Sequence, residues 1–185
     1  MEKIQNFAAL SKINYLSLVE ETVIIIVGAT VLPLTFHFIP NIGIASMGAR
    51  FLPMYYAPFL SVVFFPLKTA IIISVLAPYL NHILTGNPKE NFVLGLTLHL
   101  ILYSFLCYVS SRQFNKSIFN APLSYILSLF IMQLYWYYLG HFNIEGAIMS
   151  GLNTLIVGLP GVGALFLLNI ILYVVRKKQY DSSVI

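Results

Sequence analysis

The sequence predicts an all-α integral membrane protein of six transmembrane helices, its second segment short and proline-broken, its N- and C-termini cytoplasmic. Three observations predict this. Hydrophobic residues fill 59% of the 185 positions and charged ones only 9%, where a soluble domain carries about 25% charged residues. The apolar residues run in blocks long enough to cross a bilayer, which takes about 20 residues per helix. The 10 Lys and Arg residues collect at segment ends, mostly on one side of a six-span arrangement. At this length the chain reads as a single membrane domain over 1–185, with a short cytoplasmic tail over 177–185.

Residues 1–17 are polar and mixed in charge, with no short apolar core before a small-residue cleavage site, so an uncleaved first helix is expected. The first segment covers about 16–38. Glu20 and Glu21 stand in its first turns, where the helix dipole favours acids. A loop over 37–51 carries Pro40, Asn41, Gly43 and Gly48. The second segment, 52–65, is short for a full span and lies inside "FLPMYYAPFLSVVFFP", with Pro53, Pro58 and Pro66. Residues 66–68 turn tightly into the third segment, 69–84, and "TGNPKE" (85–90) is a turn. The fourth segment covers about 92–109, followed by a polar loop with Arg112 and Lys116. The fifth, 121–139, has Pro122 in its first turn, where proline is tolerated. Residues 141–146 interrupt the chain again. The last apolar block, 147–175, is too long for one simple span. "GLPG" (158–161) is expected to divide it into a short half-buried helix and the sixth span.

Charge tests this topology. With both termini inside, Lys3, Lys12, Lys68, Arg112, Lys116, Arg176, Lys177 and Lys178 are cytoplasmic. Only Arg50 and Lys89 fall outside. That asymmetry over short loops is the positive-inside pattern, and five or seven spans would scatter it.

The net charge of +4 is therefore a topological signal and not a nucleic-acid one. Cys107 is the single cysteine, so neither a disulfide framework nor a thiolate metal site is available. The four histidines show no H-x-x-x-H spacing, which argues against a catalytic metal. There is no G-x-S-x-G elbow and no Ser–His–Asp set. "GLPGVG" (158–163) follows no strand and lacks the lysine of a phosphate loop, so close helix contact or a break is its better reading. No catalytic residue and no cofactor are expected.

Polar and irregular residues gather on the outer side: His37, Asn41, Arg50, Asn81, His82, Asn87, His141, Asn143 and Glu145. Non-helical backbone at membrane depth is tolerated where it is buried in protein or lines a cavity. The prolines of 51–66 thus point to an irregular second segment whose Met54, Tyr55 and Tyr56 face an outward cavity, or else they kink a packed helix. Asn81 and His82 would reach the same cavity. His99, mid-span, is a functional candidate by position, or makes a packing hydrogen bond. In "QLYWYY" (133–138), Gln133 and Trp136 share a helix face. They suit a flat heterocycle, or belong to an interfacial aromatic belt. Asn153 could reach the same space.

"LPMYYAPFL" (52–60) followed by "APYLNHILTGNP" (77–88) resembles the substrate-binding S components of energy-coupling factor (ECF) vitamin transporters. "LPLTFH" (32–37) and "GLPGV" (158–162) are similar to weaker elements of one branch of that family. Tyr55 stands where that branch often has His. The resemblance implies a six-helix cell-membrane protein of a bacterium or archaeon that captures a vitamin or related micronutrient from outside. Its implied partners are a T component and two cytoplasmic ATPases, with the whole subunit toppling in the bilayer during transport. A self-contained secondary transporter, a structural subunit, and a membrane enzyme using His99 or His141 are the competing readings. With few charges near the expected pocket, a neutral or singly charged ring compound of pyridine, pyrimidine or pterin type fits better than a polyanion.

Overall fold

The computed structural model describes residues 18–39, 46–113 and 117–182, and no strand occurs among the described residues. The helices are α1 (Leu18–His37), α2 (Met47–Phe51), α3 (Tyr56–Phe64), α4 (Leu67–Thr85), α5 (Glu90–Gln113), α6 (Asn120–Tyr138) and α7 (Ile144–Ser182). A 3-10 turn, Pro53–Tyr55, joins α2 to α3. Among the described residues, three stretches are long and apolar enough to cross a membrane: α4, α5 and Ile144–Val175 within α7. Ile26–Phe36 and Pro53–Phe64 are shorter apolar helices. Part of the loop expected over 37–51 lies at 40–45, outside the described residues, and its final five residues are helical as α2.

Prolines stand mostly where helices begin. Pro53 opens the 3-10 turn, Pro58 lies in the first turn of α3, and Pro66 caps the start of α4. Amides there have no intrahelical partner, so losing one costs little. At the other end of α4, Gly86 takes a left-handed φ of 70° and its amide bonds to the His82 carbonyl at 2.8 Å.

The last apolar block departs from expectation. Instead of dividing at 158–161, α7 runs through 39 residues with Pro160 inside it, about 58 Å at ~1.5 Å per residue. One proline removes one hydrogen bond, whereas a full break would strand several backbone groups. In an apolar setting each stranded group costs several kcal/mol. Continuing the helix costs less.

α4 packs on α5, α6 on α7, and α1 on α4, while α2 lies against α7. The short middle segment sits at the centre: Leu52, Tyr55, Phe59 and Val62 pack with Leu100, Tyr103, Tyr125 and Leu165 in one core cluster. On α4 the inward face is mostly small or polar (Thr69, Ala70, Ser74, Ala77, Asn81), with Ile73 and Pro78 beside them, and the outward face carries Ile72, Leu76, Tyr79 and Ile83. Small residues let helices approach closely, and buried hydroxyls join them: Ser74 Oγ meets Ser104 Oγ at 2.8 Å. Apolar residues outside and polar ones inside are compatible with a membrane protein.

Candidate functional site

A cavity of about 420 Å³ lies where α1 and α4 end and α5 begins. The α2–α3 corner supplies Leu52, Pro53, Met54 and Tyr55 to its wall. Pro33 and Phe36 come from α1, and Asn81 and Thr85 from α4. Leu96 and His99 of α5, Tyr125 of α6 and Thr154 of α7 complete the interior. Its size suits a small-molecule site.

The corner is held in an unusual backbone state. Leu52 adopts φ 54°, ψ 41°, a left-handed conformation that costs a non-glycine residue about 1–2 kcal/mol, and the proline after it disfavours helical angles further. Three contacts hold it. The Leu52 amide bonds to the Gly48 carbonyl at 3.1 Å, the Tyr55 amide bonds to the Leu52 carbonyl at 3.0 Å, and the Tyr56 hydroxyl donates to the Phe51 carbonyl. Behind it stands the glycine face of α7. A β-carbon on Gly161 would lie 2.6 Å from Leu52 Cγ and 2.6 Å from the Phe51 carbonyl carbon. "GLPGVG" is thus the seat on which the corner rests.

Tyr55, His99 and Ser128 form a hydrogen-bonded chain across three elements. Tyr55 Oη lies 2.9 Å from His99 Nδ1, and His99 Nε2 lies 3.0 Å from Ser128 Oγ. Ser128 donates its hydroxyl proton to the Tyr125 carbonyl at 2.8 Å. Assigning that proton to the Tyr125 carbonyl makes Ser128 Oγ an acceptor from the imidazole, which assigns the hydrogen to Nε2. Nδ1 is then an acceptor, and Tyr55 donates to it. Around this chain, Tyr55 meets Tyr103 and Tyr125 edge-on at ring separations of 5.2 and 5.0 Å, and His99 stacks on Tyr125 at 5.9 Å. No carboxylate joins the chain, and its serine proton is already committed, so it lacks the parts of a nucleophile–base pair.

Of the residues singled out from sequence, Met54, Tyr55, Asn81 and His99 line this one cavity. Asn81 sends both of its amide contacts to backbone, to the Ala29 carbonyl at 3.2 Å and the Ala77 carbonyl at 2.9 Å. The other five lie outside the lining. Tyr56 braces the corner from behind, and His82 donates from Nδ1 to the Pro88 carbonyl at 2.8 Å, closing the turn after α4. Trp136 lies against Gly95 of α5, 3.1 Å from where a β-carbon would be, with His141 edge-on at 5.1 Å. Gln133 packs against Gly151 of α7, and Asn153 is exposed.

Tyr125, Ser128, Thr85 and Thr154 were not anticipated. Tyr125 and Ser128 share a helix face with Met132 and Trp136 at spacings of three, four and seven. That periodicity is present in the sequence, but it does not say which end of the face meets the cavity. Thr154, exposed like its neighbour Asn153, borders the cavity, about 100° further round the helix. Among the described residues no group of three His, Cys, Asp or Glu is placed to hold a metal ion. Comparison with family models, curated proteins and solved structures returns no match.

Proposed function

We propose that the chain is the substrate-capture subunit of an ECF-type importer in the cell membrane. It takes a vitamin or related micronutrient from outside into the cavity beside Tyr55 and His99. Delivery follows through a T component and two cytoplasmic ATPases. One observation carries the reading: stretches far apart in sequence that bear the family resemblance meet at one place. Leu52–Tyr55 of "LPMYYAPFL" and Asn81, Thr85, Asn87 and Pro88 of "APYLNHILTGNP" line the same cavity, as do Pro33 and Phe36 of "LPLTFH". Gly158 and Gly161 of "GLPGV" lie behind Leu52. Such convergence is what a shared binding site requires, and a helix kinked only for packing does not.

In this reading the chain crosses the membrane six times, with both termini cytoplasmic and the cavity at the outer end. α1, the segment over 52–65 and α6 serve as spans beside the three long apolar stretches. The subunit performs no catalysis, and its transport energy comes from the ATPases.

The test is purification with and without partners. Co-expressed with a T component and two ATPases, the chain should co-purify with them and support ATP-dependent uptake of whatever small molecule it retains, identified by mass spectrometry. Concentrative uptake by the chain alone in liposomes, or chemical turnover of the retained molecule that His99→Ala abolishes, overturns the proposal.

A further inference from the structure

Among the described residues, most polar side chains of the cavity wall offer lone pairs rather than protons. Asn81 spends its amide hydrogens on the Ala29 and Ala77 carbonyls. Tyr55 spends its hydroxyl proton on His99, whose own N–H goes to Ser128. Thr85 donates to the Asn81 carbonyl at 2.8 Å, and Thr154 to the Ser150 carbonyl at 2.8 Å. Asn81, Tyr55, Thr85 and Thr154 keep acceptor capacity with no hydrogen left to give, and His99 has both ring nitrogens engaged.

The backbone tilts the same way. Pro33, Pro53 and Pro88 line the cavity and have no amide hydrogen. Pro53 and Pro58 also cannot donate to the carbonyls four residues before them, those of Ala49 and Met54, both lining residues. Ser46, Asn87 and Tyr125 retain donor groups; Ser46 and Asn87 are exposed residues, and the Tyr125 hydroxyl is the buried exception. Among the described residues, no Lys, Arg, Asp or Glu belongs to the lining.

We propose that this cavity selects its ligand by the protons the ligand brings: an aromatic heterocycle bearing amino or ring N–H groups and carrying neither carboxylate nor phosphate. This rests on the capture reading above. An incoming N–H would meet Tyr55 Oη, Asn81 Oδ1 or a carbonyl left by proline. An anion would meet more lone pairs than protons, with no cation in the described lining to balance it. The rings of Tyr55, His99, Tyr125 and Phe36 supply apolar faces and edges for a flat ligand.

Three matched pairs test this on the full chain in detergent by equilibrium dialysis: nicotinamide and nicotinate, pyridoxamine and 4-pyridoxate, thiamine and thiamine monophosphate. The expected result is saturable binding of at least one amino member, with its anionic counterpart bound at least about tenfold more weakly. Tyr55→Phe should weaken that binding by about three- to tenfold, the range of one neutral hydrogen bond. The pair comparison on the parent chain stands even where that variant fails to purify. An anionic member that binds as tightly as its partner overturns the inference and leaves the capture reading intact. If none of the six binds, the molecule retained on the purified chain decides. An amino heterocycle without an acid group supports the inference, and an acid or a molecule without N–H overturns it. No binding and no retained molecule overturn the capture reading itself.

Discussion

Asn81 on α4 donates its side-chain amide to the carbonyl of Ala29 on α1, 3.2 Å away. Ala29 stands four residues before Pro33, which has no amide hydrogen to offer it. A polar side chain on one helix thus repairs the hydrogen bond that a proline removes from another, and both residues are buried. The repair ties α1 to α4 beside the cavity.

Asn81→Ala should lower stability by about 1–3 kcal/mol, the cost of stranding a buried carbonyl. Pro33→Ala restores an amide that can bond Ala29, so the same Asn81 change should cost about 1 kcal/mol less in that background. Reversible unfolding in mixed detergent measures both. Equal costs in the two backgrounds would show that the Ala29 carbonyl is satisfied some other way.

Gly161→Ala should destabilise by about 1–3 kcal/mol, because its β-carbon meets the backbone of Phe51, which cannot swing aside as a side chain can. Gly163→Ala, two residues on, meets nothing within 4 Å and should be tolerated. A thermal-denaturation comparison of the two checks this. Similar melting points would remove the close contact between the corner and α7.

The hydrogen-bond directions around His99 assign it the Nε2–H tautomer. In 15N NMR of histidine-labelled protein at neutral pH, the His99 signals should show a protonated Nε2 and a bare Nδ1, and His99→Gln should remove them. A protonated Nδ1 would reverse the chain and make Tyr55 an acceptor from His99.

On the proposed topology, position 46 is outside and position 182 inside. With Cys107 replaced, Ser46→Cys should react with a membrane-impermeant thiol reagent in intact cells, and Ser182→Cys should react only after the cells are opened. The opposite pattern inverts the topology.

Much of the fold was legible because proline, glycine and charge act locally. The turn at 85–90, the start of α6 near Pro122 and the irregular corner before α3 follow from residues within a few positions of each other. The continuity of α7 was not legible. "GLPG" reads locally as a stop, but its glycines are used against Leu52, about 110 residues earlier in the chain, and the helix passes through.

Composition and hydropathy suffice for the class, a helical chain apolar enough for lipid, and for the residue types a pocket there could use. The sequence also placed Met54, Tyr55, Asn81 and His99 among the candidates. That these four share a wall with Tyr125 and Thr154, while Trp136 and Asn153 do not, follows from how the helices pack. The reason is physical. In a soluble protein one helix face is polar, and its periodicity shows which side is inward. Here lipid-facing and inward faces are both largely apolar, so the pattern carries little direction. Tyr55 and His99 lie 44 residues apart, and helix packing alone brings the hydroxyl of one to the imidazole of the other.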